Sequence, residues 1–167
     1  TIYSRMDREF NGKKIKYDEG KLWLWREMRS KRKLKNPYWY ELKGCVDKSN
    51  GYRCVSINDK KYFYHRIVYF IHNQEWDIHN SSQDNSIDHI DRDKSNNNIE
   101  NLRLVTHQQN MWNRDAKGYC IDNRSGKYMA QIKVDGKSKH LGYFENEDDA
   151  RTAYLNAKAI HHIISSS

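Results

Sequence analysis

Ser86-Ile-Asp-His-Ile-Asp-Arg-Asp-Lys-Ser-Asn-Asn-Asn-Ile-Glu-Asn-Leu-Arg-Leu-Val-Thr-His-Gln-Gln-Asn110 is the stretch that organises this chain. Two strand-sized apolar pieces, around Ser86–Ile90 and Leu102–Val105, flank a loop over residues 91–98 made of Asp, Asn and Ser. Thr106-His-Gln-Gln109 has the Ser/Thr-x-x-Glu/Gln form of a capping box, so a helix is expected from there to about Arg114. Such a cap is worth about 1 kcal/mol, and here it fixes where Asn110 points. The order is strand, loop, strand, capped helix.

Asp88 and His89 are neighbours on the first strand and project to opposite faces. Both can serve one centre if the helix carrying Asn110 packs against an edge of it. Asp88 and Asn110 then offer a carboxylate and an amide oxygen, a hard donor set suited to Mg²⁺ or Mn²⁺ rather than zinc. The ion would polarise a phosphodiester and stabilise its leaving oxygen. His89 is left to act as general base, since an imidazole is ordinarily neutral near pH 7. A lone Asp-His pair is usually a surface hydrogen bond, so this chemistry rests on the whole spacing.

Upstream, Tyr17–Gly20 reads as a turn, and Lys21–Arg26 and Tyr38–Leu42 as strands. The first twenty residues are polar and poorly patterned. Gly51–Ile57 and Lys60–Tyr64 form a hairpin around Asn58-Asp59, and a short helix over 65–73 covers it. Within that helix His65 and Arg66 have two readings, contact with a backbone phosphate or packing. Downstream, Arg114–Gly118 is the expected linker. Tyr119–Asn123, Tyr128–Val134 and Lys137–Phe144 then give strands, with Asp135-Gly136 as a turn, and Asn146 caps a helix. Ala150, Ala153, Tyr154, Ala157 and Ile160 line the helix face expected to pack. Met111 and Trp112 read as core, His107 as solvent-facing, and His161-His162 as a helix C-terminal feature.

The fold class is therefore α+β: a small ββα module, preceded by a β-hairpin and helix region and followed by a three-stranded antiparallel sheet with one packed helix. The expected divisions are a basic, aromatic-rich region 1–50, a central module 51–115 and a C-terminal domain 118–162.

The net charge of +8 favours a polyanionic partner. Residues 1–50 carry 14 Lys/Arg against 7 Asp/Glu, with the densest run at Arg26–Lys35, while residues 51–115 carry 8 against 9. That basic run contacts DNA or is a solvated loop. Cys45, Cys54 and Cys120 form no Cys-x-x-Cys pair, which argues against a zinc ribbon and a disulfide framework and fits a reducing, cytoplasmic setting. No signal peptide is visible, and Ile67–Ile71, the longest apolar run, is too short to span a bilayer.

Residues 86–114 resemble the ββα-metal motif of HNH endonucleases, in the subtype with Asn at the third motif position that is common in phage and intron-encoded homing enzymes. The resemblance rests on Asp88-His89, the loop 91–98, Asn101–Thr106 and Asn110, with Tyr64–Phe70 similar to the segment that precedes the motif. It implies His89 as general base, Asp88 and Asn110 as metal ligands, and Asn101 as the middle Asn that holds the loop and helps orient the His. It also implies double-stranded DNA as substrate, 5′-phosphate and 3′-hydroxyl products, and a bacterial host cell if the protein is phage-encoded. Asn110 stands where many members have His, which leaves metal preference open.

Residues 118–162 resemble the DNA-binding domain of plant ethylene-response factors, on Ser125–Ile132, His140–Phe144 and Asp148–Tyr154. That family inserts the open sheet face into the major groove, which implies Arg124, Lys127, Gln131, Lys133 and Lys139 as contacts. Tyr128 replaces the usual Trp, so specificity does not transfer. Together these give a metal-dependent, site-specific endonuclease acting as a monomer and by default as a nickase. The alternatives are a catalytically silent DNA-binding regulator and a nonspecific or restriction-type nuclease.

Overall fold

The computed structural model describes residues 6–27 and 36–164, except the side chain of Met6. The expected basic run Arg26–Lys35 therefore lies, over residues 28–35, outside the described residues. The protein is mixed α and β, with few helices and several small antiparallel sheets. It divides into two compact units, Thr1–Thr106 and His107–Ser167. Among the described residues no helix is long and apolar enough to cross a membrane.

The first unit begins with strands that the sequence hides. β1 (Met6–Phe10) and β2 (Lys13–Asp18) pair antiparallel, and β3 (Lys21–Arg26) and β4 (Tyr38–Glu41) extend them into a four-stranded sheet. β3 and β4 are the strands expected there, whereas β1 and β2 fall in the first twenty residues, whose charged outward positions hide the pattern. The inward positions Phe10, Ile15, Leu22 and Leu24 are all buried. Lys16 breaks the alternation, since it is buried with its ammonium near Trp23 and Trp39, 5.6 and 5.0 Å from the ring centres, and paired with Asp18.

β5 (Cys45–Val46), β6 (Arg53–Ile57) and β7 (Lys60–Phe63) form a second sheet. The β6–β7 turn puts both Asn58 and Asp59 at positive φ, 51° and 61°, as a two-residue hairpin turn requires. β7 runs directly into α1 (Tyr64–His72). Ile67, Val68, Phe70 and Ile71 on α1 pack with Phe10, Ile15 and Leu24 of the first sheet, Val55 and Ile57 of the second, and Ile87 and Leu102 beyond. Region 1–50 and the hairpin region thus share one core. Polar bonds reinforce it: Leu22 N–H donates to the Tyr64 hydroxyl at 3.0 Å, and Arg8 caps the end of α1 by donating to the Phe70, Asn73 and Gln74 carbonyls.

In the second unit α2 (His107–Trp112) ends two residues before the expected Arg114. β10 (Tyr119–Ile121), β11 (Tyr128–Val134) and β12 (Lys137–Phe144) form an antiparallel sheet in that order, covered on one face by α3 (Glu147–His161). The Asn146 side chain accepts from Asp149 N–H at 2.8 Å, the expected cap. Ala150, Tyr154 and Ala157 are buried as expected, but Ile160, expected on the same face, is 67% exposed. Segment 114–118 is bound to α3 rather than free to act as a linker. Arg151 donates to the Ala116 and Lys117 carbonyls and pairs with Asp115, and Lys158 donates to the Arg114 carbonyl at 2.8 Å. Trp112 stacks on His162 with ring centres 4.9 Å apart, whereas Met111, expected in the core, is exposed.

Gly118 makes this closure possible. It has φ +76°, and a Cβ there would lie 1.9 Å from Cγ of Tyr154, while Gly126, at φ +68°, has open space around it. Gly126→Ala should cost about 1 kcal/mol from the left-handed backbone alone. Gly118→Ala should cost at least about 2 kcal/mol more through overpacking, measured as the difference in chemical-denaturation midpoints. Equal losses would show that segment 114–118 does not close on Tyr154.

Candidate active site

β8 (Ser86–His89) pairs antiparallel with β9 (Leu102–Val105), and the register places Asp88 opposite Arg103 and His89 opposite Leu102. Asp88 and His89 face opposite ways, yet both are buried, at 8% and 3% exposure. A buried carboxylate needs a partner. Arg103 supplies it: Nε and Nη2 both donate to Oδ2 of Asp88, at 3.1 and 2.9 Å. The sequence reading had not singled out Arg103, although its place across a strand pair from Asp88 is the signal that marks it.

His89 is held by a residue that was also missed. Its Nε2 lies 3.0 Å from Oδ1 of Asn97, and Nδ2 of Asn97 donates to the Ser95 carbonyl at 3.2 Å. The second bond fixes the amide's orientation, so its oxygen faces the ring. The imidazole therefore carries its proton on Nε2, and Nδ1 holds the lone pair. The rings of His65 and Tyr52 wall this imidazole at 4.9 and 5.9 Å.

The loop between the strands is tied by Asn101, which is buried at the end of a 3₁₀ turn (Ile99–Asn101). Its Nδ2 donates to Asp91 Oδ1 and the Asn96 carbonyl, at 2.9 and 2.8 Å, and its Oδ1 accepts from Asp91 N–H at 3.0 Å. Hydrogen bonds from Asn96 and Asn101 hold the Asp91 carboxyl below the usual carboxylate range, and those from Ser95 do the same for Asp93. Asn97 is hydrogen-bonded to His89, and Asn101 acts on the loop.

His65 is 5% exposed, and burial is the main reason its pKa is lowered to about 3, with the charges of His89 and Arg66 adding to it. Its Nδ1 is buried without a hydrogen-bond partner. Arg66 donates to the carbonyls of Asn85 and Ile78, at 3.0 and 2.9 Å. Of the two readings left open for this pair, the geometry is that of packing. Arg66 ties α1 to the loop before β8, where Asn85 in turn accepts from the Trp76 indole N–H.

Asn110 lies on α2, in the second unit, and is partly buried; His107 is exposed. In that unit's sheet Gln131 and Lys133 alternate away from the buried Ala130 and Ile132. Arg124 is exposed in the turn before β11, and Lys127 pairs with Glu145 at 2.5 Å. Lys139 was expected on the open face. A register shift at Ala130/Gln131 pairs it with buried Ile132, so it turns toward α3, where its Nζ lies 3.4 Å from His161 Nε2. The same shift puts His140 opposite Gln131 and Ser138 opposite Lys133, on the open face.

Two measurements check this geometry. Below about pH 6.5 an unfolded chain protonates His65 and the folded chain does not, until about pH 3, so acidification destabilises the fold. At pH 5 this should cost roughly 2 kcal/mol relative to pH 7, and His65→Phe should remove that share of the pH dependence of urea melts. Asn101→Ala should cost about 2–3 kcal/mol by leaving buried loop groups unpaired, and hydrogen exchange should rise over 91–97.

Residues 62–112 match the family model described as HNH endonuclease, a span from the end of β7 through α1, the β8–β9 hairpin and α2. No curated protein and no solved structure matches the chain. The match coincides with the segment that carries Asp88, His89, Asn97, Asn101 and Asn110, so the chain contains an HNH nuclease domain, a hydrolase module whose implied substrate is DNA.

Proposed function

We propose that the protein is a metal-dependent, site-specific DNA endonuclease of homing type that hydrolyses one phosphodiester per binding event as a monomeric nickase. The observation that carries this reading is the buried imidazole of His89, set by Asn97 in a single tautomer beside the Asp88 carboxylate.

His89 acts as general base. Its Nδ1 takes a proton from the attacking water while Nε2–H stays on Asn97, so the ring cannot rotate away or change tautomer during the transfer. Tyr52 and His65 exclude bulk water from two sides of the ring. Neutral His65 adds no charge that would oppose proton uptake by His89.

Asp88 and Asn110 are the proposed metal ligands. The donor chemistry fits Mg²⁺ or Mn²⁺, since a carboxylate and an amide oxygen are both hard donors. The bound ion supplies Lewis-acid polarisation of the scissile phosphate and stabilises the leaving oxygen. Asn101 keeps the β8–β9 loop, and with it Asn97, in place.

The second unit is proposed as the sequence reader, similar to ethylene-response-factor domains. Gln131, Lys133 and Arg124 are exposed and free of the packed side of the sheet, and His140 and Ser138 join them. Lys127 contributes after release from Glu145. Lys139 is withdrawn from the proposed contact set.

In a plasmid-cleavage assay with Mg²⁺ or Mn²⁺, wild-type protein should give discrete nicks. His89→Ala should lower the rate by about 10²–10⁴ with DNA affinity retained. Asn97→Ala should lose rate without losing affinity. Undiminished cutting by His89→Ala would remove His89 from the mechanism. Specific binding with no cleavage under any divalent ion would identify a silent regulator, and a smear a nonspecific nuclease.

A further inference from the structure

Away from His89 and Asp88, the first unit holds a cleft of about 490 Å³ that no part of the nuclease reading uses. It is lined by the β2–β3 turn, the segment from β4 to β5, Arg53 of β6 and Tyr64 of α1. Its charged lining is Lys21, Lys43 and Arg53 against Glu41. Gly44 sits at φ +67°, where a Cβ would lie 2.2 Å from the Cys54 carbonyl oxygen. That close approach brings the Lys43–Gly44 backbone against β6 beside Arg53.

Arg53 is the informative side chain. The other partly buried arginines of this unit satisfy their donors within the protein: Arg8 on the end of α1, Arg66 on Asn85 and Ile78, Arg103 on Asp88. The Arg53 side chain makes no hydrogen bond or ion pair among the described residues, and its guanidinium carbon lies 5.6 Å from the centre of the Tyr64 ring. A half-buried guanidinium beside an aromatic ring, with its fork unfilled, can receive a planar or tetrahedral oxyanion. Lys43 is exposed and likewise has no partner among the described residues, and the Lys21–Glu41 pair is stretched to 4.0 Å. The Tyr64 hydroxyl accepts from Leu22 N–H and keeps its own proton to donate.

We propose that this cleft is a phosphate-binding site that takes a backbone phosphate of duplex DNA away from the scissile one, with Arg53 as its fork and Lys43 and Lys21 as flanking charges. The proposal rests on the nuclease reading for the identity of the partner. The polar walls do not suit an apolar ligand, and the volume lies in the range of about 300–1,000 Å³ typical of ligand sites. Arg53 follows Tyr52, whose ring walls His89, so the strand that carries the cleft's fork starts at the candidate active site. A phosphate held here would fix the duplex on the nuclease unit itself, independently of the reader sheet.

The test is fluorescence anisotropy of full-length protein with a labelled duplex over a series of KCl concentrations. Arg53→Gln and Lys43→Gln should each flatten the plot of log affinity against log salt by about 0.9 and weaken binding roughly threefold to tenfold. Arg53→Lys, which keeps the charge, should recover most of the slope. Lys60→Gln, exposed at the start of β7, should leave the slope unchanged. Lys60→Gln should also keep the wild-type nicking rate.

Wild-type slopes in Arg53→Gln and Lys43→Gln, or an equal change in Lys60→Gln, overturn the proposal. A thermal shift of wild-type protein by inorganic phosphate that Arg53→Gln abolishes, with DNA binding untouched, assigns the cleft to free phosphate and overturns the DNA assignment. Wild-type protein that binds DNA with Arg53-dependent slope but never cuts it leaves the cleft assignment standing and removes the nuclease reading. Unchanged slopes in a protein that cuts do the reverse.

Discussion

Burial of α1 is the constraint on which the first unit depends. Four-, three- and two-stranded sheets of this size cannot each bury an apolar face alone. They share one helix, whose residues Ile67, Val68, Phe70 and Ile71 meet side chains from all three sheets. The site inherits its order from that packing. His65 leaves α1 next to the core positions and presses edge-on against His89, and Arg66 ties the helix to the loop before β8. The cost is a buried, neutral His65 with an unsatisfied Nδ1. A protein does not ordinarily keep such a group in a core unless its place beside the site has value.

Within the site, rigidity comes from amides more than from charges. Asn97 sets the tautomer of His89 and Asn101 sets the loop that presents Asn97. An amide can donate and accept at once, so one side chain can tie a ring to a backbone or close a loop on itself. Charge enters at close quarters where Arg103 meets Asp88.

Much of this was legible in the sequence, and the parts that were not have physical causes. The β6–β7 hairpin, α1, the β8–β9 pair, β10–β12 and the Asn146 cap follow from apolar spacing, turn residues and capping chemistry. β1 and β2 did not, because charged outward positions and the buried Lys16 mask the alternation of Phe10 and Ile15. Asn97 stands between Asn96 and Asn98, and three identical neighbours carry no sign of which one meets the His. Only the loop's turns decide, giving Asn96 to Asp91 and Asn97 to His89. Lys139 was misplaced because a single register shift exchanges the two faces of β12, and nothing in the strand's composition marks it. The Asp88–Arg103 pair needed the strand register before it could be seen.

The clamp of Arg151 and Lys158 on segment 114–118, with Trp112 stacked on His162, bears on how such proteins exchange parts. The covalent seam is not where the glycine-containing stretch suggests it. The compact units meet in sequence at Thr106 and His107, so α2 travels with the C-terminal sheet. A recombination event that replaced the C-terminal sheet and α3 at residue 118 would cut through bonded structure and strand α2 without the helix that supports it. One that replaced it at residue 107 would carry α2 and Asn110 along. Under the roles proposed for that unit and for Asn110, target preference and this metal ligand would then change together.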